Sequence, residues 1–97
     1  MNTPLTEQDL NAARAALTGW TIAPDALTKT FQFASFREAM SFMVRVGFEA
    51  EALDHHPEWT NVYNRVTIKL NTHSAGGKVT GLDVELATRI QSVSWVK

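Results

Sequence analysis

Residues 65 to 73, RVTIKLNTH, constrain the fold more than any other stretch of this chain. Val66, Ile68 and Leu70 alternate with Arg65, Thr67, Lys69 and Asn71. A period of two marks a strand with one dry face and one wet face. A parallel sheet covered by helices on both sides needs near-continuous apolar strands, and this run does not supply one. Any helices must therefore gather on one side. A second run repeats the pattern: Leu27, Phe31 and Phe33 share a parity around Lys29, with Thr28, Thr30 and Gln32 on the other. Trp20 and Ile22 alternate with threonine and alanine, and APDA (23–26) reads as the turn between these two strands. WTNVY (59–63) is a candidate partner for the 65–71 strand across a tight turn near Asn64.

Three helices complete the order. Thr6 and Asp9 form a capping-box pattern, flanked by Leu5 and Leu10 at staple positions. Leu10, Ala13 and Leu17 make one apolar stripe, and Gly19 suits the position past the helix end. A second helix is expected from about Ser35 to about His55, with Phe36, Met40, Met43, Gly47, Ala50 and Leu53 facing the core. Val44, Phe48 and Ala52 form another apolar edge at i, i+4 spacing. It reads as a homodimer or homotetramer contact, or equally as the second side of a doubly buried helix. The last helix is capped by Thr80, with Asp83 at the capping-box position and Leu82, Leu86, Ile90 and Val93 inward. The order α-β-β-α-β-β-α with short turns implies antiparallel pairing. The expected fold is α+β, a four-stranded antiparallel sheet with three helices on one face. Its 97 residues, 1–97, suit a single domain.

The functional signal is EALDHHPEW, residues 51 to 59. Pro57 disfavours helical geometry at His56, so the second helix should end at or before His55. The free carbonyls and negative dipole there favour an imidazolium, and Glu51, four residues earlier, adds a carboxylate. His56 is thrown into an extended geometry and points elsewhere. The third histidine of the chain, His73, follows the long strand. Histidine is the side chain whose unperturbed pKa, about 6.5, lies nearest neutrality, so such a cluster can supply both a general acid and a general base. For an arbitrary protein, a polar helix end in solvent is the favoured reading of two adjacent histidines before a proline. His73 has the wet-face parity, Asp83 has its cap to serve, Glu51 and Asp54 suit any surface, and Trp59 suits any core. Zinc is disfavoured, because adjacent histidines are awkward co-ligands and no H-E-x-x-H helix is present.

Composition removes other classes. There is no cysteine, which excludes disulfides and thiolate chemistry, and no Gly-x-Ser-x-Gly turn. A formal net charge of −1 argues against nucleic acid or anionic membrane as partner. No apolar stretch reaches the roughly 20 residues of a spanning helix, and the N-terminus lacks a secretory pattern, so a cytoplasmic location is expected.

EALDHHPEWTNVYNRVTIKLNTHSAGG (51–77) followed by LDVELATRI (82–90) resembles the pterin-4a-carbinolamine dehydratase family. The shared pattern is an acidic residue, three positions, His-His-Pro, an aromatic two further on, NVYN, an alternating strand, Thr-His, a glycine-containing loop and an aspartate opening the last helix. The resemblance implies a dimer or tetramer that dehydrates a 4a-hydroxytetrahydropterin to the quinonoid dihydropterin, recycling the pterin of aromatic amino acid hydroxylases without metal or organic cofactor. It implies acid–base roles for His55 and His73, pterin binding with a share in proton transfer for His56, and supporting or substrate-binding roles for Glu51, Asp54, Trp59 and Asp83. The chain departs from animal members in a loop between His73 and Asp83 about one residue longer, and in Leu82, where they carry arginine. Animal relatives also act as dimerisation partners of a regulatory protein, and the same pocket would serve molybdopterin metabolism; both are alternatives to recycling.

Overall fold

The structure is a computed structural model and describes residues 3–97. Its elements are α1 (Glu7–Ala16), β1 (Thr21–Ala23), β2 (Ala26–Gln32), α2 (Phe36–Leu53), β3 (Glu58–Val62), β4 (Arg65–Leu70), a 3-10 turn (His73–Ala75) and α3 (Gly81–Val93). The strands form one antiparallel sheet in the order β1-β2-β4-β3. This is the expected α-β-β-α-β-β-α arrangement.

Alternation sets the sheet's two faces. Leu27, Lys29 and Phe31 of β2 and Val66, Ile68 and Leu70 of β4 are buried against the helices. Thr30 and Thr67 pair across the other face, their hydroxyls 3.0 Å apart. The turn between β3 and β4 needs a positive φ, 52°, at Tyr63. The aromatic centre of the core joins sheet to helix: Phe42 lies 4.7 Å from Phe31 and 4.8 Å from Phe33, centroid to centroid.

Both capping boxes form, Thr6 with Asp9 and Thr80 with Asp83. Gly19 is displaced from its expected role, because α1 ends at Ala16 with Leu17 as its cap. The glycine serves the following turn, with φ +88°, and a Cβ there would lie 3.0 Å from Lys29 Nζ.

The face of α2 differs from expectation. Ala39, Phe42, Val46 and Ala50 are its buried residues, with Met43 and Leu53 half-buried beside them. Phe36 and Met40, expected inside, are exposed. Apolar residues surround this helix, so more than one stripe satisfies its spacing, and the rings of Phe31 and Phe33 select the stripe containing Phe42. With Val44 and Phe48, the exposed residues make an i, i+4 ridge along the outside, and Phe48 is 72% exposed. Leu82 also departs from its expected inward position: it is half-buried at the first turn of α3, while Asp83, Leu86, Ala87 and Ile90 are buried.

Candidate active site

The C-terminus of α2, the end of β4 and the N-terminus of α3 meet around one cavity of about 440 Å³. Asp54, His55, His56, Asn71, His73 and Leu82 are among its lining residues. All three histidines of the chain thus line the same space, from two backbone segments.

Helix α2 ends at Leu53, before His55 as Pro57 requires, and the manner of its ending rearranges the ion pairs. Asp54 caps it in a left-handed conformation, φ 49°. Aspartate is among the non-glycine residues that tolerate this region best. The amides of Asp54 and His55 both return to the carbonyl of Ala50, 3.0 Å away for His55. The reversal takes His55 off the helical surface, so Glu51 is not its partner. Glu51 instead accepts from His56 Nε2 at 2.9 Å, in an exposed pair.

His55 turns inward and is 8% exposed. Its Nε2 contacts Oδ1 of Asp83, which is wholly buried. The other carboxylate oxygen, Oδ2, accepts the backbone amide of Thr80 at 2.9 Å and the hydroxyl of Thr72 at 2.8 Å. The Thr72 and Thr80 hydroxyls are 2.7 Å apart. Asp83 therefore combines two tasks, closing the α3 capping box and holding His55. A buried carboxylate is tolerated where its oxygens are satisfied by donors, as here. Because it is buried, Asp83 reaches the cavity only through His55.

His73 begins the 3-10 turn and is exposed. The loop behind it is tied back by the amide of Thr72 to the carbonyl of Lys78, 2.9 Å. Gly76 and Gly77, at φ +71° and +79°, turn the chain toward α3. Trp59 lies on the helix side of β3, half-buried against the core, and is not among the cavity-lining residues. Thr72 carries no expectation from sequence, since nothing in its spacing marks a strand-end threonine as the partner of a carboxylate eleven residues on. Among the described residues, no group of three or more His, Cys, Asp or Glu converges to hold a metal ion.

A larger groove, about 560 Å³, runs between α1 and α3 past Leu5, Ala12, Ala16 and Val84. Its acids are engaged elsewhere, Asp9 in the α1 cap and Glu85 with Arg89 at 3.8 Å. It offers no paired acid and base, unlike the histidine-lined cavity.

The fold and site define a small α+β domain with a cleft lined by imidazoles. The family described as Pterin 4 alpha carbinolamine dehydratase matches residues 3–93, and the chain belongs to that family. A protein of Opitutus terrae named "Putative pterin-4-alpha-carbinolamine dehydratase" is 62% identical over 96 residues, 99% of each chain. One of Paraburkholderia xenovorans with the same name is 48% identical, over 93% of this chain and 95% of its own. The crystal structure of a transcriptional coactivator/pterin dehydratase from Brucella melitensis superposes with a TM-score of 0.87 at 44% identity, covering 93% of this chain and 97% of that one.

Proposed function

We propose that this chain dehydrates a 4a-hydroxytetrahydropterin by acid–base catalysis from its histidines. The observation that carries the reading is the convergence of His55, His56 and His73 on one cavity in a chain of this family. The elimination needs a proton delivered to the departing 4a-hydroxyl and a proton removed from the adjacent ring nitrogen. Water leaves and the quinonoid dihydropterin remains, so atoms and charge balance without an external oxidant or reductant. His55 and His73 are the acid–base pair in this reading. His56 binds the pterin, with Glu51 holding its Nε2 side. Asp54 and Asn71 border the cavity, where polar groups can bond the pterin ring. Asp83 supports His55 rather than the substrate. A volume of about 440 Å³ falls in the range that accommodates a small ligand. Recycling of the pterin left by aromatic amino acid hydroxylases is the role that suits this reaction.

The test is the decay of the 4a-carbinolamine followed by ultraviolet absorbance. The wild-type chain accelerates it, and His55→Ala and His73→Ala each lose about 10²-fold or more while keeping their far-ultraviolet circular dichroism. Full rates in both variants would remove the site assignment, and a wild-type chain that leaves the decay unchanged would remove the reaction.

The outer ridge of α2 favours self-association. Phe36, Met40, Val44 and Phe48 are 47%, 43%, 53% and 72% exposed, and Ala52 continues their line. Contiguous exposed apolar surface of this kind marks an interaction site. A homodimer or homotetramer built on this ridge is the second part of the proposal.

A further inference from the structure

We propose that Thr72 is a positioning residue for His55, and that His55 exchanges its proton with a bound ligand through Nδ1 alone. The inference rests on the acid–base reading of the cavity and assigns the atom through which one of its groups works.

The argument is a count of donors. The amide of Leu82 can only donate, and it points at Thr80 Oγ1 at 3.3 Å. Thr80 and Thr72 share a contact of 2.7 Å, and each hydroxyl has one hydrogen to give. The Thr72 hydrogen goes to Asp83 Oδ2, so the hydrogen between the threonines comes from Thr80. Every bond in the chain then runs one way, from Leu82 through Thr80 and Thr72 to the carboxylate. With the Thr80 amide also on Oδ2, that oxygen holds two donors and Oδ1 is left for His55. An ionised carboxylate only accepts, so Nε2 must carry a hydrogen. Among the described residues the other ring nitrogen has no hydrogen-bond partner, while every buried side-chain nitrogen and oxygen has one. Nδ1 is therefore the nitrogen left open, on a residue that lines the cavity. Acting as base, His55 takes a proton at Nδ1; acting as acid, it returns that same proton, and Nε2 stays on Asp83 throughout.

Thr72 enforces this by its hydroxyl. It is 3% exposed and stands between β4 and α3, so its removal leaves Asp83 Oδ2 one donor short and frees the Thr80 hydroxyl to turn. The orientation of the carboxylate, and with it the tautomer of His55, then loosens.

The experiment uses the full chain labelled with nitrogen-15, in wild type, Thr72→Val and Thr72→Ser. Two-bond proton–nitrogen spectra at slightly alkaline pH read the His55 tautomer without any substrate. Wild type should show Nε2 protonated and Nδ1 bare. Thr72→Val should show a Nδ1–H population, with kcat down roughly tenfold and KM within about twofold. Thr72→Ser should restore both readouts. If the valine variant does not fold, Thr72→Ala removes the same hydroxyl without a new methyl group. A wild-type ring protonated at Nδ1, an unaltered ring in the valine or alanine variant, or a serine variant as impaired as valine would each overturn the proposal. The tautomer readout stands apart from the reaction. An inactive wild type with the expected ring sinks only the dehydratase reading, and an active wild type with the wrong ring sinks only the assignment of Nδ1 and of Thr72.

Discussion

Replacing Asp83 by asparagine tests the buried half of the site most directly. The two carboxylate oxygens carry unequal loads: Oδ2 accepts from Thr72 and Thr80, Oδ1 only from His55. Asparagine has one acceptor, and it should face the two donors, which puts its NH₂ toward His55 Nε2. That nitrogen must then offer a lone pair, so the ring proton moves to Nδ1 and closes the face proposed for proton transfer. The stability cost follows from the same three bonds. A hydrogen bond to a charged group contributes about 1.5–3 kcal/mol and a neutral one about 0.5–1.5. Losing about 1 kcal/mol in each of three gives roughly 3 kcal/mol, and relief of the carboxylate's desolvation offsets part of it, leaving about 1–3. In a domain of this size that lowers the melting temperature by about 5–20 °C. Catalysis should suffer more, about 10²- to 10⁴-fold in kcat, because the tautomer is wrong rather than the shape. Urea unfolding followed by tryptophan fluorescence, the carbinolamine decay assay and the ring nitrogen spectrum read the three effects. A variant within twofold of wild-type kcat would refute the reasoning, whatever its stability.

Three further outcomes are expected. Lys29 is 6% exposed with Gln91 Oε1 as its oxygen partner at 2.8 Å, and burial lowers its pKa from the ordinary 10.5. Its folded pKa therefore lies below its unfolded one, so between the two the unfolded chain holds the extra proton and stability rises with pH. Lys29→Met should abolish that rise in alkaline melting curves and match or exceed wild-type stability at neutral pH; a rise that persists would show that another group causes it. Phe48→Glu, at a position 72% exposed, should shift the mass measured by light scattering toward the monomer with little change in monomer stability; an unchanged mass would exclude the α2 ridge as the contact. Gly19→Ala should cost about 1–3 kcal/mol, from its φ of +88° and the close approach to Lys29. A loss below about 0.5 kcal/mol in chemical denaturation would show that the turn relaxes freely.

What was legible in the sequence was what is decided locally. Strand alternation at Val66, Ile68 and Leu70 and the Thr6/Asp9 and Thr80/Asp83 boxes depend on residues two or three apart, and the structure follows them. The face of α2 was not, because it depends on which ring enters the core. Phe36 and Phe42 compete on equal terms until the sheet, with Phe31 and Phe33, supplies the site that only one of them fills. The same limit applies to the candidate site. Pro57 correctly places the end of the helix near the histidines, but it does not reveal that Asp54 reverses the chain at φ 49°. That one dihedral separates Glu51 from His55 and delivers His55 to a carboxylate 28 residues away. The neighbour rules of a helix would have given His55 an exposed partner; the reversal gives it a buried one. An exposed carboxylate is hydrated and its pairing with histidine is screened, whereas Asp83 is shielded and held by three donors, so it can fix a ring orientation. The precision of this site therefore comes from the break in the helix rather than from the helix.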